Sequence, residues 1–302
     1  MIIDTLIDKI IATKNPSVVG LDTSLAHLPD DMKEGVTDLD TAAAAILKFN
    51  KALVDELVGV VPAFKVQVAY YEGLGAAGME CFAETLKYAR QKGFVVISDV
   101  KRNDIGSTAA AYSKAYLSGT EINGKRFIPF ESDFVTVNGY LGTDGIAPFV
   151  DDCKAYERGL FVLARTSNPS GAELQNRKLE SGETVFSLMG SFIEKWGEDL
   201  IGKYGYSSVG AVVGATHKEE AEMLRKSCPH TFFLIPGYGA QGGKADDLAV
   251  CFKDGLGGIV NNSRAILTAW KKPEFEGLGF AKAARAAAEV MREDLSKAVG
   301  LK

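Results

Sequence analysis

Eight short runs rich in apolar and β-branched residues recur along this chain, most of them separated by enough sequence to hold a helix. They are Ser17–Leu21, Val60–Val66, Phe94–Val100, Phe134–Val137, Leu160–Ala164, Val209–Val213, Thr231–Ile235 and Gly258–Val260. Each is apolar nearly throughout, which is the pattern of parallel strands covered on both faces. Helical spacing fills the gaps. Ile46, Phe49, Leu53 and Leu57 follow a cap-like Thr37-Asp38-Leu39-Asp40, and Phe82, Leu86 and Ala89 repeat the pattern. Val185, Leu188, Met189, Phe192 and Trp196 repeat it again, as do Phe280, Ala284, Ala287, Met291 and Leu295. Eight strands alternating with helices predict an α/β fold, a single TIM-type (β/α)₈ barrel spanning residues 1–302. The rival on pattern alone is a doubly wound open sheet.

Composition narrows the function classes. An apolar fraction of 46% suits a large core, and a net charge of −5 argues against a nucleic-acid partner. Cys81, Cys153, Cys228 and Cys251 lie far apart, and His27, His217 and His230 form no ligand pattern, so no metal site is expected. That cysteine usage suits a reducing cytosol. The first residues read as a short amphipathic helix, and no apolar run approaches a membrane span. The expectation is a soluble, cytoplasmic protein.

Barrel enzymes carry their chemistry at the C-terminal strand ends. Here those ends hold Asp22, Lys65, Asp99 with Lys101, Asn138, Arg165 with Ser167, Thr216 with His217, the Pro236–Gly243 loop, and Ser263 with Arg264. Asn138 and Thr143 are candidates for lining a pocket there. In an extended strand Asp99 and Lys101 point to one face, and Asp104 starts the next helix, Ile105 to about Tyr116. Two carboxylates beside one ammonium keep it charged. Such a lysine can stabilise a developing carbanion and then protonate it. A carboxylate beside an anionic substrate group also repels it until it leaves as carbon dioxide. The bland alternative is an ordinary strand-end ion pair. A Schiff-base lysine fits less well, since flanking carboxylates hold the proton on.

Two later segments suit a phosphate. Pro236-Gly237-Tyr238-Gly239-Ala240-Gln241-Gly242-Gly243 follows the seventh run, and Asn261-Asn262-Ser263-Arg264 ends the eighth. Glycines let backbone N–H groups approach phosphate oxygens, while Arg264 and Gln241 supply side-chain donors. The glycines also satisfy G-x-G-x-x-G literally, but too late in the chain for a dinucleotide fold to follow. Ser118–Glu131, with a turn-like Asn123-Gly124, and a polar stretch at about 166–183 read as insertions, the second placed as a lid.

These motifs together resemble orotidine 5′-phosphate decarboxylases. Asp99-Val100-Lys101-Arg102-Asn103-Asp104-Ile105-Gly106-Ser107-Thr108 resembles their D-x-K-x-x-D-I-x-x-T signature. Gly20-Leu21-Asp22, Phe64-Lys65, Tyr70-Tyr71-Glu72, the Pro236–Gly243 loop and Ser263-Arg264 are similar in the expected order. The length and Ala164-Arg165-Thr166-Ser167-Asn168-Pro169 look like the longer bacterial branch. The resemblance implies cofactor-free conversion of orotidine 5′-monophosphate to uridine 5′-monophosphate, the last step of new pyrimidine synthesis. It implies Lys101 as proton donor to C6, Asp99 beside the leaving carboxylate, and Asp22 and Lys65 on the ribose. It implies Ser167 at the base, and Pro236, Gly237, Gln241, Ser263 and Arg264 around the phosphate. It also implies a homodimer in which Asp104 and Thr108 cross to the partner's site. The competing readings are a magnesium-dependent sugar-phosphate decarboxylase of the same barrel group, an aldolase barrel, and a phosphate-binding barrel without catalysis. The first of these carries an acidic metal ligand where this chain has Lys65.

Overall fold

A computed structural model describes residues 1–214, 216–238 and 245–301. Eight parallel strands close into a barrel in chain order, with the last paired to the first. They are β1 (Ser17–Leu21), β2 (Ala63–Gln67), β3 (Val95–Arg102), β4 (Phe134–Val137), β5 (Gly159–Arg165), β6 (Ser207–Val213), β7 (Thr231–Ile235) and β8 (Gly258–Asn262). The open-sheet alternative is thereby excluded. The predicted second run begins three residues too early, since β2 starts only after Pro62.

One helix, α1 (Ile2–Thr13), packs against the barrel interior, and the others cover the outside: α2 (Leu39–Glu56), α3 (Gly75–Gln91), α4 (Gly106–Ser113), α5 (Thr143–Tyr156), α6 (Val185–Trp196), α7 (Lys218–Ser227) and α8 (Phe280–Val299). Asp38 caps α2 by accepting from the Thr41 amide. The α4 helix is shorter than its apolar pattern suggests. It passes at Lys114 into a turn of π-helix, where Ser113 and Ser118 both donate to Asp152. Asn123 and Gly124, both at positive φ, form the turn of a two-stranded hairpin, Thr120–Ile122 with Lys125–Phe127.

Strand alternation builds the inside. Val18, Ala63, Ile97, Phe134, Phe161, Val212, Leu234 and Ile259 form an inner cluster, and Ile3, Leu6, Ile7 and Ile10 of α1 pack into the same cluster. Two residues further along, on the same face, come Gly20, Lys65, Asp99, Thr136, Leu163 and Asn261. The periodicity that buries the core thus delivers a ring of mostly polar side chains to the C-terminal rim. Among the described residues no helix is long and apolar enough to cross a membrane.

Candidate active site at the C-terminal rim

Asp99 is the hub of the rim. Its Oδ2 accepts from Lys65 Nζ at 2.9 Å and from Gln67 Nε2 at 2.9 Å. Its Oδ1 accepts from Lys101 Nζ at 2.6 Å and from Thr136 Oγ1 at 2.9 Å. Lys65 also reaches Asp22 Oδ1 at 3.1 Å. Charges therefore alternate through space as Asp22, Lys65, Asp99, Lys101.

Burial alone would push the Asp99 carboxyl upward, but Lys65 and Lys101 outweigh it and hold the group well below the usual carboxylate range. Burial alone would lower Lys65; Asp99 and Asp22 outweigh it and hold the ammonium above its ordinary value. The two are 6% and 4% exposed, whereas the Lys101 side chain is 45% exposed. Lys101 is thus the cation of the array that remains open to a ligand.

A two-part cleft lies over these charges. One part, about 380 Å³, is lined by Lys65, Asp99, Lys101, Thr136, Ser167 and apolar Leu163, Val212 and Leu234, among others. The other, about 270 Å³, is lined by Asp22, Gly237, Ser263 and Arg264, among others. Lys65, Asp99, Pro236 and Asn261 line both. Larger hollows lie elsewhere on the surface, so the cleft is distinguished by its buried charges and not by its size. Gly20 explains its own place in the first-strand motif. A Cβ there would lie 2.0 Å from Ser263 Oγ and 2.9 Å from Asn261 Oδ1, so any larger residue would force these two side chains to move.

Most of the predicted residues converge, with corrections. Asp104 and Thr108 line neither part of the cleft within one chain. Asp104 Oδ1 accepts from the Ile105 amide at 2.8 Å, and Thr108 is exposed on α4. Within one chain the lysine bonded to two carboxylates is therefore Lys65, not Lys101. Nor is β3 plainly extended at its end. Lys101 sits at φ 46°, within a register shift between Ser98 and Arg102. Asn138 and Thr143 serve local structure: Asn138 Oδ1 accepts from the Tyr140 amide, and Thr143 Oγ1 accepts from Trp196 Nε1. Arg165 turns away from the cleft to pair with Glu220 at 2.5 Å. Gln241 lies outside the described residues. Gln67 and Thr136 went unread in the sequence and Asn261 was noted only as part of the phosphate segment, although strand parity places all three on the inner face.

The profile of the "Orotidine 5'-phosphate decarboxylase / HUMPS family" matches residues 19–275, spanning every rim residue named above. The chain belongs to that family. It is 43% identical over 300 residues to the orotidine 5'-phosphate decarboxylase of Clostridium perfringens strain 13, covering 99% of each chain. The Clostridium tetani enzyme of the same name is 42% identical, with 100% of each chain covered. The solved structure of Leishmania donovani OMP decarboxylase superposes with a TM-score of 0.75 at 25% identity, covering 99% of each chain.

Proposed function

We propose that this chain decarboxylates orotidine 5′-monophosphate to uridine 5′-monophosphate, the final step of new pyrimidine nucleotide synthesis. The observation that carries the reading is the alternating array Asp22, Lys65, Asp99, Lys101 under a cleft with a charged end and an apolar end. The bond from C6 to the carboxylate carbon breaks, carbon dioxide departs, and the electron pair stays on C6. Lys101 Nζ stabilises that pair and then gives C6 its proton, recovering one from water. Asp99, held ionised by four donors, faces the leaving carboxylate and cannot escape it by taking up a proton. Asp22 and Lys65 bind ribose hydroxyls. Ser167 meets the base, while Leu163, Val212 and Leu234 exclude water around it. Pro236, Gly237, Gln241, Ser263 and Arg264 grip the phosphate.

The working unit on this reading is a homodimer that lends Asp104 and Thr108 across its interface. Exposed Ile105, Tyr140 and Leu141 near the Asp104 turn support an apolar contact there. Residues 1–302 form one barrel domain on this reading, with 166–183 as its lid. Four buried thiols fit a cytoplasmic setting.

Chelator-treated protein given orotidine 5′-monophosphate and followed by ultraviolet absorbance tests the assignment. Rapid conversion is expected; none, or strict dependence on magnesium, favours the sugar-phosphate chemistry instead. Lys101→Ala should lower kcat by at least ~10³-fold with uridine 5′-monophosphate still bound. Normal turnover in that variant would remove Lys101 as proton donor.

A further inference from the structure

The mount of Lys101 depends on a residue from the neighbouring strand. Between the pairs Ser98 with Val135 and Arg102 with Val137, four residue steps along β3 match two along β4. The β3 chain therefore bulges, and Lys101 takes a left-handed φ of 46° that lysine does not favour. A bulge takes backbone groups out of the ladder, and those groups must find partners or cost stability. Here the amides of Val100 and Lys101 both donate to the same atom, Thr136 Oγ1, at 2.9 and 3.0 Å. The Thr136 hydroxyl hydrogen goes to Asp99 Oδ1 at 2.9 Å. Thr136 is 1% exposed, so these bonds are made within the protein and not shared with bulk water.

We infer that Thr136 is a positioning residue for the decarboxylation. One buried hydroxyl fixes the backbone on which Lys101 stands and the carboxylate to which Lys101 Nζ is bonded. Three hydrogen bonds meet on it, two received and one given, which suits a threonine or serine. Valine has the same shape and satisfies none of them. The β-branch suits the strand, and the hydroxyl replaces the ladder bonds that the bulge forfeits. The consequence is registration of Lys101 Nζ against C6, which matters to the chemical step and little to ground-state binding.

The inference rests on the decarboxylase reading, and the two fail separately. Wild-type turnover of orotidine 5′-monophosphate tests the reading; Thr136 variants in the same assay test the inference. Thr136→Val should lower kcat roughly 100-fold with KM changed by less than about fivefold, because a displaced proton donor penalises the chemical step selectively. Thr136→Ser should recover most of kcat, since it restores the hydroxyl. Binding of uridine 5′-monophosphate by calorimetry should stay near wild type in both, showing that the cleft is folded. Unchanged kcat in Thr136→Val, or a Thr136→Ser variant as impaired as Thr136→Val, overturns the inference. Loss of product binding in both variants also overturns it, since Thr136 would then serve the fold and not the alignment.

Discussion

At the residue scale, Asp99 is unusual because all its acceptor capacity is taken by four donors: Lys101 on its own strand, Lys65 and Gln67 on β2, and Thr136 on β4. Its lowered pKa links it to stability with a definite sign. The contribution is fully present above the unfolded carboxylate value of about 4 and is lost as pH falls towards the folded value. Lys65 has the opposite linkage: its contribution is present below the unfolded lysine value of about 10.4 and fades as pH rises through the raised folded value. Asp99→Asn should therefore cost about 3 kcal/mol at neutral pH, with the gap to wild type narrowing below about pH 4. Urea denaturation at several pH values measures this, and a gap that persists unchanged into acid would show that Asp99 is not the ionised hub. The sequence exposed Asp99, Lys65 and Lys101 because charges that interrupt apolar strands stand out. Thr136 did not stand out, because one hydroxyl in Phe134–Val137 looks like an ordinary strand residue.

At the element scale, β5 shows how the rim is tied to its surroundings. Arg165, fully buried at the end of β5, bonds Glu220 of α7 through Nε, and through Nη1 the Thr166 carbonyl and Gln175 Oε1. Gln175 also accepts from the Thr166 amide at 2.9 Å. The stretch that carries Ser167 into the cleft is therefore anchored from behind. Glu220→Ala should leave the Arg165 guanidinium buried without its carboxylate, costing roughly 3 kcal/mol in chemical denaturation. It should also raise KM by loosening the segment around Ser167. An unaltered KM in a destabilised variant would assign the pair to the fold alone. The strands themselves were legible as continuous apolar runs, and Asn123-Gly124 was legible as a hairpin turn. The bulge in β3 was not, because Asp-Val-Lys-Arg reads as plain extended chain and the irregularity arises from pairing with β4.

At the scale of the whole molecule, the barrel brings residues from Asp22 to Arg264 to one rim, yet leaves Asp104 and Thr108 outside the cleft of their own chain. Strand order made the first part legible. The second is a matter of which chain a loop serves, and a motif within one chain carries no geometry about that. If the sites are completed across a dimer, Lys101→Ala and Asp104→Ala proteins should each be nearly inactive. After subunit exchange of an equimolar mixture, half the dimers would be mixed, and each would hold one intact site, restoring roughly a quarter of wild-type activity. A mixture as inactive as its parents, under conditions where exchange is shown by mass spectrometry, would place Asp104 in its own chain's site.

The left-handed backbone at Lys101 sets stability and selection against each other. That conformation costs a side-chain-bearing residue about 1 kcal/mol and costs glycine nothing. Asp99 would keep Lys65, Gln67 and Thr136 after Lys101 was gone. It would nonetheless lose one of the two ammonium groups that hold it ionised, so the backbone effect is isolated by comparing Lys101→Gly with Lys101→Ala: the glycine variant should be more stable by about 1 kcal/mol in urea denaturation, and both should be silent as enzymes. Glycine is the residue this backbone alone would choose, and a lysine there is a trace of selection for turnover.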